Sequence, residues 1–235
     1  MVGLDIEPQE ANIPFECVIC GNELSDSQYY VCSKKCHYER EVSRILRNLN
    51  LDKLKPFDFN QIKTSCSGKI INLKEEISEY INTPTWQGFF FYGKAGRGKS
   101  HIAKLIISRM VERWLIRPQI VSVLTFVNEL QVSYATDTTE KVRDSVRNAK
   151  YLVFDDLGAE KGTEHAVATM LEIMDYRVRN HKPTIITSNI APSEFQDERL
   201  ISRIFEACRV RHITGKDYRI KIMDDEITGE DKRNK

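Results

Sequence analysis

The run GKAGRGKS at residues 93–100, directly after the apolar stretch GFFFY at 88–92, constrains this chain more than any other feature. It satisfies the spacing G-x-x-x-x-G-K-[ST], and its setting is the one that pattern needs, a strand before it and a helix opening near Ser100 after it. Glycines let the backbone N–H groups turn inward on an anion, and the helix N-terminus adds a partial positive charge. The expected phosphate loop is Gly93, Lys94, Ala95, Gly96, Arg97, Gly98, Lys99, Ser100 and His101. Lys99 is placed to reach the β- and γ-phosphates of ATP, and Ser100 to offer its hydroxyl to Mg²⁺. A bare glycine turn would not require Lys-Ser at its end.

From residue 86 short apolar runs alternate with amphipathic helices, which predicts an α/β fold with a parallel sheet. The strand candidates are 88–92, 120–126, 151–154, 184–187 and 209–213. Between them Ala103, Ile106, Ile107, Met110, Val111 and Trp114 trace one helical face, and Val167, Met170, Leu171, Met174 and Val178 trace another. Upstream, Val42, Ile45, Leu46 and Leu49 keep helical spacing, as do Ile70, Leu73, Ile77, Tyr80 and Ile81.

Two later segments bear on the same chemistry. YLVFDDLG ends an apolar strand with carboxylates, which sets Asp155 as the second magnesium ligand and Asp156 as the group that orients an attacking water. With Asp where a longer Glu would reach about 1 Å further, hydrolysis is expected to be slow. TIITSN finishes with Asn189, whose amide suits the water or the γ-phosphate.

Four of six cysteines crowd into residues 17–36, as Cys17-x2-Cys20 and Cys32-x3-Cys36 separated by eleven residues. Two close thiolate pairs supply a tetrahedral, closed Zn²⁺ site, structural and not catalytic. His37 is the less suitable alternative to Cys36, and Cys66 and Cys208 stand alone as structural thiols. The acidic N-terminus leads into no apolar run, and no stretch approaches a membrane span, so the expectation is a soluble cytoplasmic protein without membrane contact. Thirty-five basic against thirty-four acidic residues leave a net charge of +1, so any nucleic-acid contact must be a local patch.

The order of phosphate loop, Asp-Asp, Ser-Asn and then ERLISRIFE resembles the AAA+ ATPases. DDLGAE, TSN and GKDYR resemble the branch of bacterial replicative helicase loaders (the DnaC and DnaI type) and IstB transposition ATPases. The resemblance implies the P-loop AAA+ three-layer fold, preceded here by a small four-cysteine zinc module. It makes Arg203 the candidate arginine finger, supplied in trans, and Arg219 a second reader of the γ-phosphate. It also implies self-association into an AAA+ oligomer and a helical insertion at 127–150 that contacts single-stranded DNA. Lys141, Arg143, Arg147 and Lys150 are candidates for tracking its phosphates, with Arg209, Arg211 and Lys216 as the others.

The expected organisation is a zinc module with its closing helix at 1–49, a linker at 50–62, the ATPase domain at 63–222 and a flexible tail at 223–235. The function so implied is an ATP-dependent loader of a hexameric replicative helicase, with hydrolysis stimulated by assembly or DNA. An IstB-like transposition ATPase and a nucleotide-gated scaffold with little turnover are the competing readings.

Overall fold

A computed structural model describes residues 30–54, 63–66, 69–70, 72–136, 138–158, 164–215 and 217. Helix α1 (Tyr30–Asn48) is followed by a short hairpin, β1 (Lys63–Cys66) and β2 (Lys69–Ile70), then α2 (Leu73–Asn82) and β3 (Gly88–Tyr92). The chain continues through α3 (Lys99–Trp114), β4 (Pro118–Ser122), α4 (Val123–Thr136), α5 (Thr139–Asn148), β5 (Tyr151–Leu157) and α6 (Glu164–Arg179). It closes with β6 (Thr184–Ser188), α7 (Glu198–Ala207) and β7 (Cys208–Thr214).

The strands form one sheet in the order β2-β1-β7-β3-β6-β5-β4. The five from β7 to β4 are parallel, while β1 and β2 extend the β7 edge antiparallel. Alternation along β3 sets the layers. Phe89 and Phe91 join a core with α1, α2 and α3, whereas Phe90 faces Phe126, Phe154, Met170 and Ile204 on the other side. This is the three-layer α/β arrangement expected from the alternating runs.

Several boundaries differ from expectation for physical reasons. The run at 120–126 splits, with a strand ending at Ser122 and a helix starting at Val123. Val123, Phe126, Val127 and Leu130 are buried at i, i+3, i+4 and i+7, so a continuous apolar run concealed a helix start. Ile70 lies in β2; α2 begins at Leu73, where the side chain of Asn72 accepts from the Glu75 N–H at 3.4 Å. Trp114 ends its helix half-exposed, with its indole N–H donating to Ile81 O at 2.7 Å. The segment at 127–150 does carry two helices, the end of α4 and all of α5.

Helix α1 packs onto the helical layer formed by α2 and α3. Ile45 and Leu51 are buried in the α2–α3 core, and Tyr38 donates to Glu112 O. Glu41, also buried, pairs with Arg44 and, at 2.9 Å, with Arg117 just past α3. The Arg44 hydrogen bond, aided by Arg117, holds its carboxyl below the usual range.

On the opposite face Arg177 of α6 is wholly buried. Its Nε donates to Thr184 Oγ1 at 2.8 Å and Nη2 to Pro183 O at 2.7 Å. Nη1 reaches the carbonyls of Val146 and Arg147 at 3.2 Å and Ala149 at 2.8 Å. The guanidinium therefore caps the C-terminal end of α5, where the helix dipole favours a cation, and ties it to the start of β6. Burial lowers its pKa to about 10, still far above neutrality, so it stays charged. Cys208 is a buried thiol donating to Thr184 O at 3.3 Å, with its ionisation pushed up by burial.

Candidate functional site

The site is an edge where parallel strands end. Tyr92 of β3 is in register with Ser188 of β6 on one side and His212 of β7 on the other, and Ser188 is in register with Leu157 of β5. Gly93, Asn189 and the acids of β5 therefore emerge along one line. The strand order reverses around β3, and open α/β sheets place ligands at such a reversal, beyond the carboxyl ends of the strands.

The loop from Gly93 to Gly98 leads directly into α3. Gly93 donates its N–H to Ser188 O at 3.2 Å. Its φ is 141°, and a Cβ there would overlap the Ile213 carbonyl. Gly96, at φ 75°, comes so close to Asp217 that a Cβ would overlap that carboxylate. At Gly93 any side chain would have to displace the backbone of β7, whereas at Gly96 the Asp217 side chain would have to swing aside and the positive φ itself favours glycine. Gly98 is the N-cap of α3 and has no side chain to cover the first-turn N–H groups, which suits the cradle to an anion.

Lys99 is only 6 % exposed. Its Nζ donates to Lys94 O at 2.9 Å and to Asn189 Oδ1 at 2.7 Å. Asn189 in turn donates through Nδ2 to Asp156. The amide is thereby oriented, oxygen toward the ammonium and nitrogen toward the carboxylate. Strand β5 runs three residues beyond the expected 154, so both acids lie within its end, next to a register shift between Phe154 and Leu157. Asp156 has φ 65°, in the left-handed region. Thr187, which the sequence did not single out, bonds both acids: its hydroxyl donates to Asp155 Oδ1 at 2.7 Å and accepts from the Asp156 N–H at 2.9 Å. The structure thus brings Lys99, Asp155, Asp156 and Asn189 to one edge, and Ser100 follows Lys99 in the first turn of α3.

The other candidates are placed differently. Arg203 of α7 is 40 % exposed and paired within the chain, its Nε 3.0 Å from Asp175 and its Nη1 2.8 Å from Glu206. Arg219 and Lys216 lie outside the described residues, as do Cys17 and Cys20. Cys32 and Cys36 fall in the backbone of α1, with their side chains outside the description.

The basic residues proposed for DNA are largely spent on local partners. Arg211 is 13 % exposed and makes a two-point pair with Glu76, its Nε bond measuring 2.7 Å. Arg209 lies 3.7 Å from the same carboxylate. Arg143 and Arg147 turn toward Glu172 of α6 at 3.7 and 3.6 Å, and Arg147 also pairs with Asp144. Lys141 and Lys150 remain as exposed positions on this segment.

Comparison with known proteins decides the family. The description of IstB-like ATP binding proteins matches residues 33–225, most of the chain. The chain belongs to the IstB-like ATP-binding family. Its match to the replicative helicase loader DnaI of Bacillus subtilis (strain 168) is 26 % identical over 189 residues, covering 76 % of this chain and 59 % of that protein. The replicative helicase loader DnaC of Escherichia coli (strain K12) is 22 % identical over 205 residues, covering 77 % of this chain and 81 % of the relative. A crystal structure of the DnaC helicase loader matches with a TM-score of 0.54 at 24 % identity, over 60 % of this chain and 88 % of that one. That likeness shows that the two chains share the layered α/β fold. Among the described residues no helix is long and apolar enough to cross a membrane.

Proposed function

We propose that this family member is an ATP-dependent loader of a replicative helicase. The observation that carries the reading is sequence likeness to helicase loaders from two organisms over three quarters of the chain, joined to an edge that gathers Lys99, Asn189 and the two acids. The loop amides and Lys99 hold the triphosphate. Ser100 and Asp155 are the oxygen donors for Mg²⁺, a hard cation that favours hydroxyl and carboxylate ligands and supplies charge neutralisation between phosphates. Asp156 orients the attacking water. Arg203 acts on the nucleotide of a neighbouring copy, which requires it to leave Asp175 and Glu206, so hydrolysis waits on assembly. Arg219 is the second candidate for sensing the γ-phosphate. Single-stranded DNA is the ligand of the assembled form.

Single-turnover ATP hydrolysis, with and without single-stranded DNA, tests the enzymatic core. Arg203→Ala is expected to leave nucleotide affinity unchanged and to lower the assembly-dependent rate about 10³-fold or more. An unchanged rate rejects the finger, and no turnover by the native protein under either condition leaves only a nucleotide-gated scaffold. Retention of a replicative helicase by the immobilised full chain in MgATP supports the loader. Retention of a transposase in its place supports the transposition reading that the family name favours.

Cys17, Cys20, Cys32 and Cys36 hold one structural Zn²⁺ in this proposal, and the module around it docks on the helicase. Elemental analysis should find one zinc per chain, lost when Cys17 and Cys32 are replaced by Ser. Full-length protein free of zinc, purified without chelator, overturns the assignment.

A further inference from the structure

The phosphate-loop motif and the acid pair both omit the group that joins them. Thr187 of β6 is 1 % exposed, and its one hydroxyl serves both carboxylate residues. The Asp156 amide only donates, so it occupies a lone pair of Oγ1, and the single hydroxyl proton is left for Asp155 Oδ1. The direction of both bonds is therefore fixed by valence. Serving two partners at once is also what burial demands, since a hidden hydroxyl left unpaired is costly.

Each bond acts on a different acid. The bond to Asp155 engages one carboxylate oxygen and restricts rotation of the group, leaving the other oxygen to a cation. The bond to Asp156 holds a backbone that departs from ordinary strand geometry. A left-handed conformation is disfavoured for most non-glycine residues, though Asp tolerates it better than most, and at this position it coincides with the register shift between β5 and β6. In that conformation the Asp156 carboxylate meets Asn189, which in turn meets Lys99.

We propose that Thr187 is the positioning residue of the nucleotide site: one hydroxyl orients Asp155 for magnesium and fixes the backbone that aims Asp156 at Asn189. The proposal rests on the nucleotide reading above. Thr187 itself touches neither phosphate nor metal; it acts through the acids, as the groups behind metal ligands commonly do.

The test compares Thr187→Val, which keeps the shape and removes the hydroxyl, with Thr187→Ser, which keeps the hydroxyl. ATP affinity is measured by calorimetry in EDTA and across a Mg²⁺ titration, followed by single-turnover hydrolysis at saturating nucleotide. Thr187→Val should match the native affinity in EDTA, need about 10-fold more Mg²⁺ for the same gain, and hydrolyse about 10- to 100-fold more slowly. Thr187→Ser should restore the Mg²⁺ dependence. A Val variant with native Mg²⁺ dependence and rate overturns the proposal. So does one that loses affinity equally in EDTA, because the defect is then a general collapse of the edge. If the native protein binds no ATP with or without Mg²⁺, the nucleotide reading itself fails, an outcome distinct from either.

Discussion

Lys99→Ala is expected to abolish measurable ATP binding while leaving the fold in place. The ammonium is nine-tenths hidden at the start of α3, held by the Lys94 carbonyl and the Asn189 amide oxygen. Both are neutral acceptors that an incoming phosphate outcompetes, since a charge-assisted bond is roughly twice as strong as a neutral one. Hydrogen bonds to charged groups contribute about 1.5–3 kcal/mol each, so losing two to the phosphates costs about 3–6 kcal/mol, at least 100-fold in affinity. The apo fold loses little, because the freed carbonyl and amide lie beside the open end of the sheet. Calorimetry with MgATP should give no heat for the variant, and its melting temperature should stay within a few degrees of native. Affinity within tenfold of native would remove the phosphate loop from the site.

The largest effect on stability is expected from Arg177→Met. The substitution fills much of the same space but takes the guanidinium donor from the carbonyls of Val146, Arg147 and Ala149, while Pro183 O keeps the Leu152 N–H at 3.2 Å. Buried acceptors stripped of a partner cost about 1–3 kcal/mol each, offset in part because a buried cation no longer has to be desolvated. A net loss of about 3–5 kcal/mol places this among the severe single changes. For a domain of this size it lowers the melting temperature by about 10 °C. Thermal unfolding followed by circular dichroism reads it directly. A drop under 2 °C would mean that water or other donors replace the guanidinium. Arg177→Lys, with three donors and no fork, should fall between.

How legible all this was depended on whether a residue acts through its neighbours in sequence or across space. The glycine loop is local in sequence, so its letters were enough to place Gly93 to Ser100 between a strand and a helix. Asp155, Asp156 and Asn189 were legible as ends of apolar runs, which is where a parallel sheet delivers polar groups. Thr187 was not, because a threonine inside TIITS reads as an ordinary strand residue until the register sets it against β5. Arg177 was hidden likewise, flanked by Tyr176 and Val178 on a helix whose apolar spacing explained itself without it. The β1–β2 hairpin carries too few apolar residues to show any period, and VLTF at 123–126 fits strand and helix equally well. The charged helix α5 read as a nucleic-acid surface, yet two of its arginines face Glu172, because an amphipathic charge pattern does not say which neighbour answers it.

Helix α3 is a rod of sixteen residues, about 24 Å long, with the glycine loop at one tip. Tyr38 and Glu41 of α1 clasp its opposite tip, at Glu112 and Arg117. A displacement of α1 at Tyr38 or Glu41 therefore bears on a stiff shaft whose far tip is Gly98, so the two ends of α3 are geared to one another.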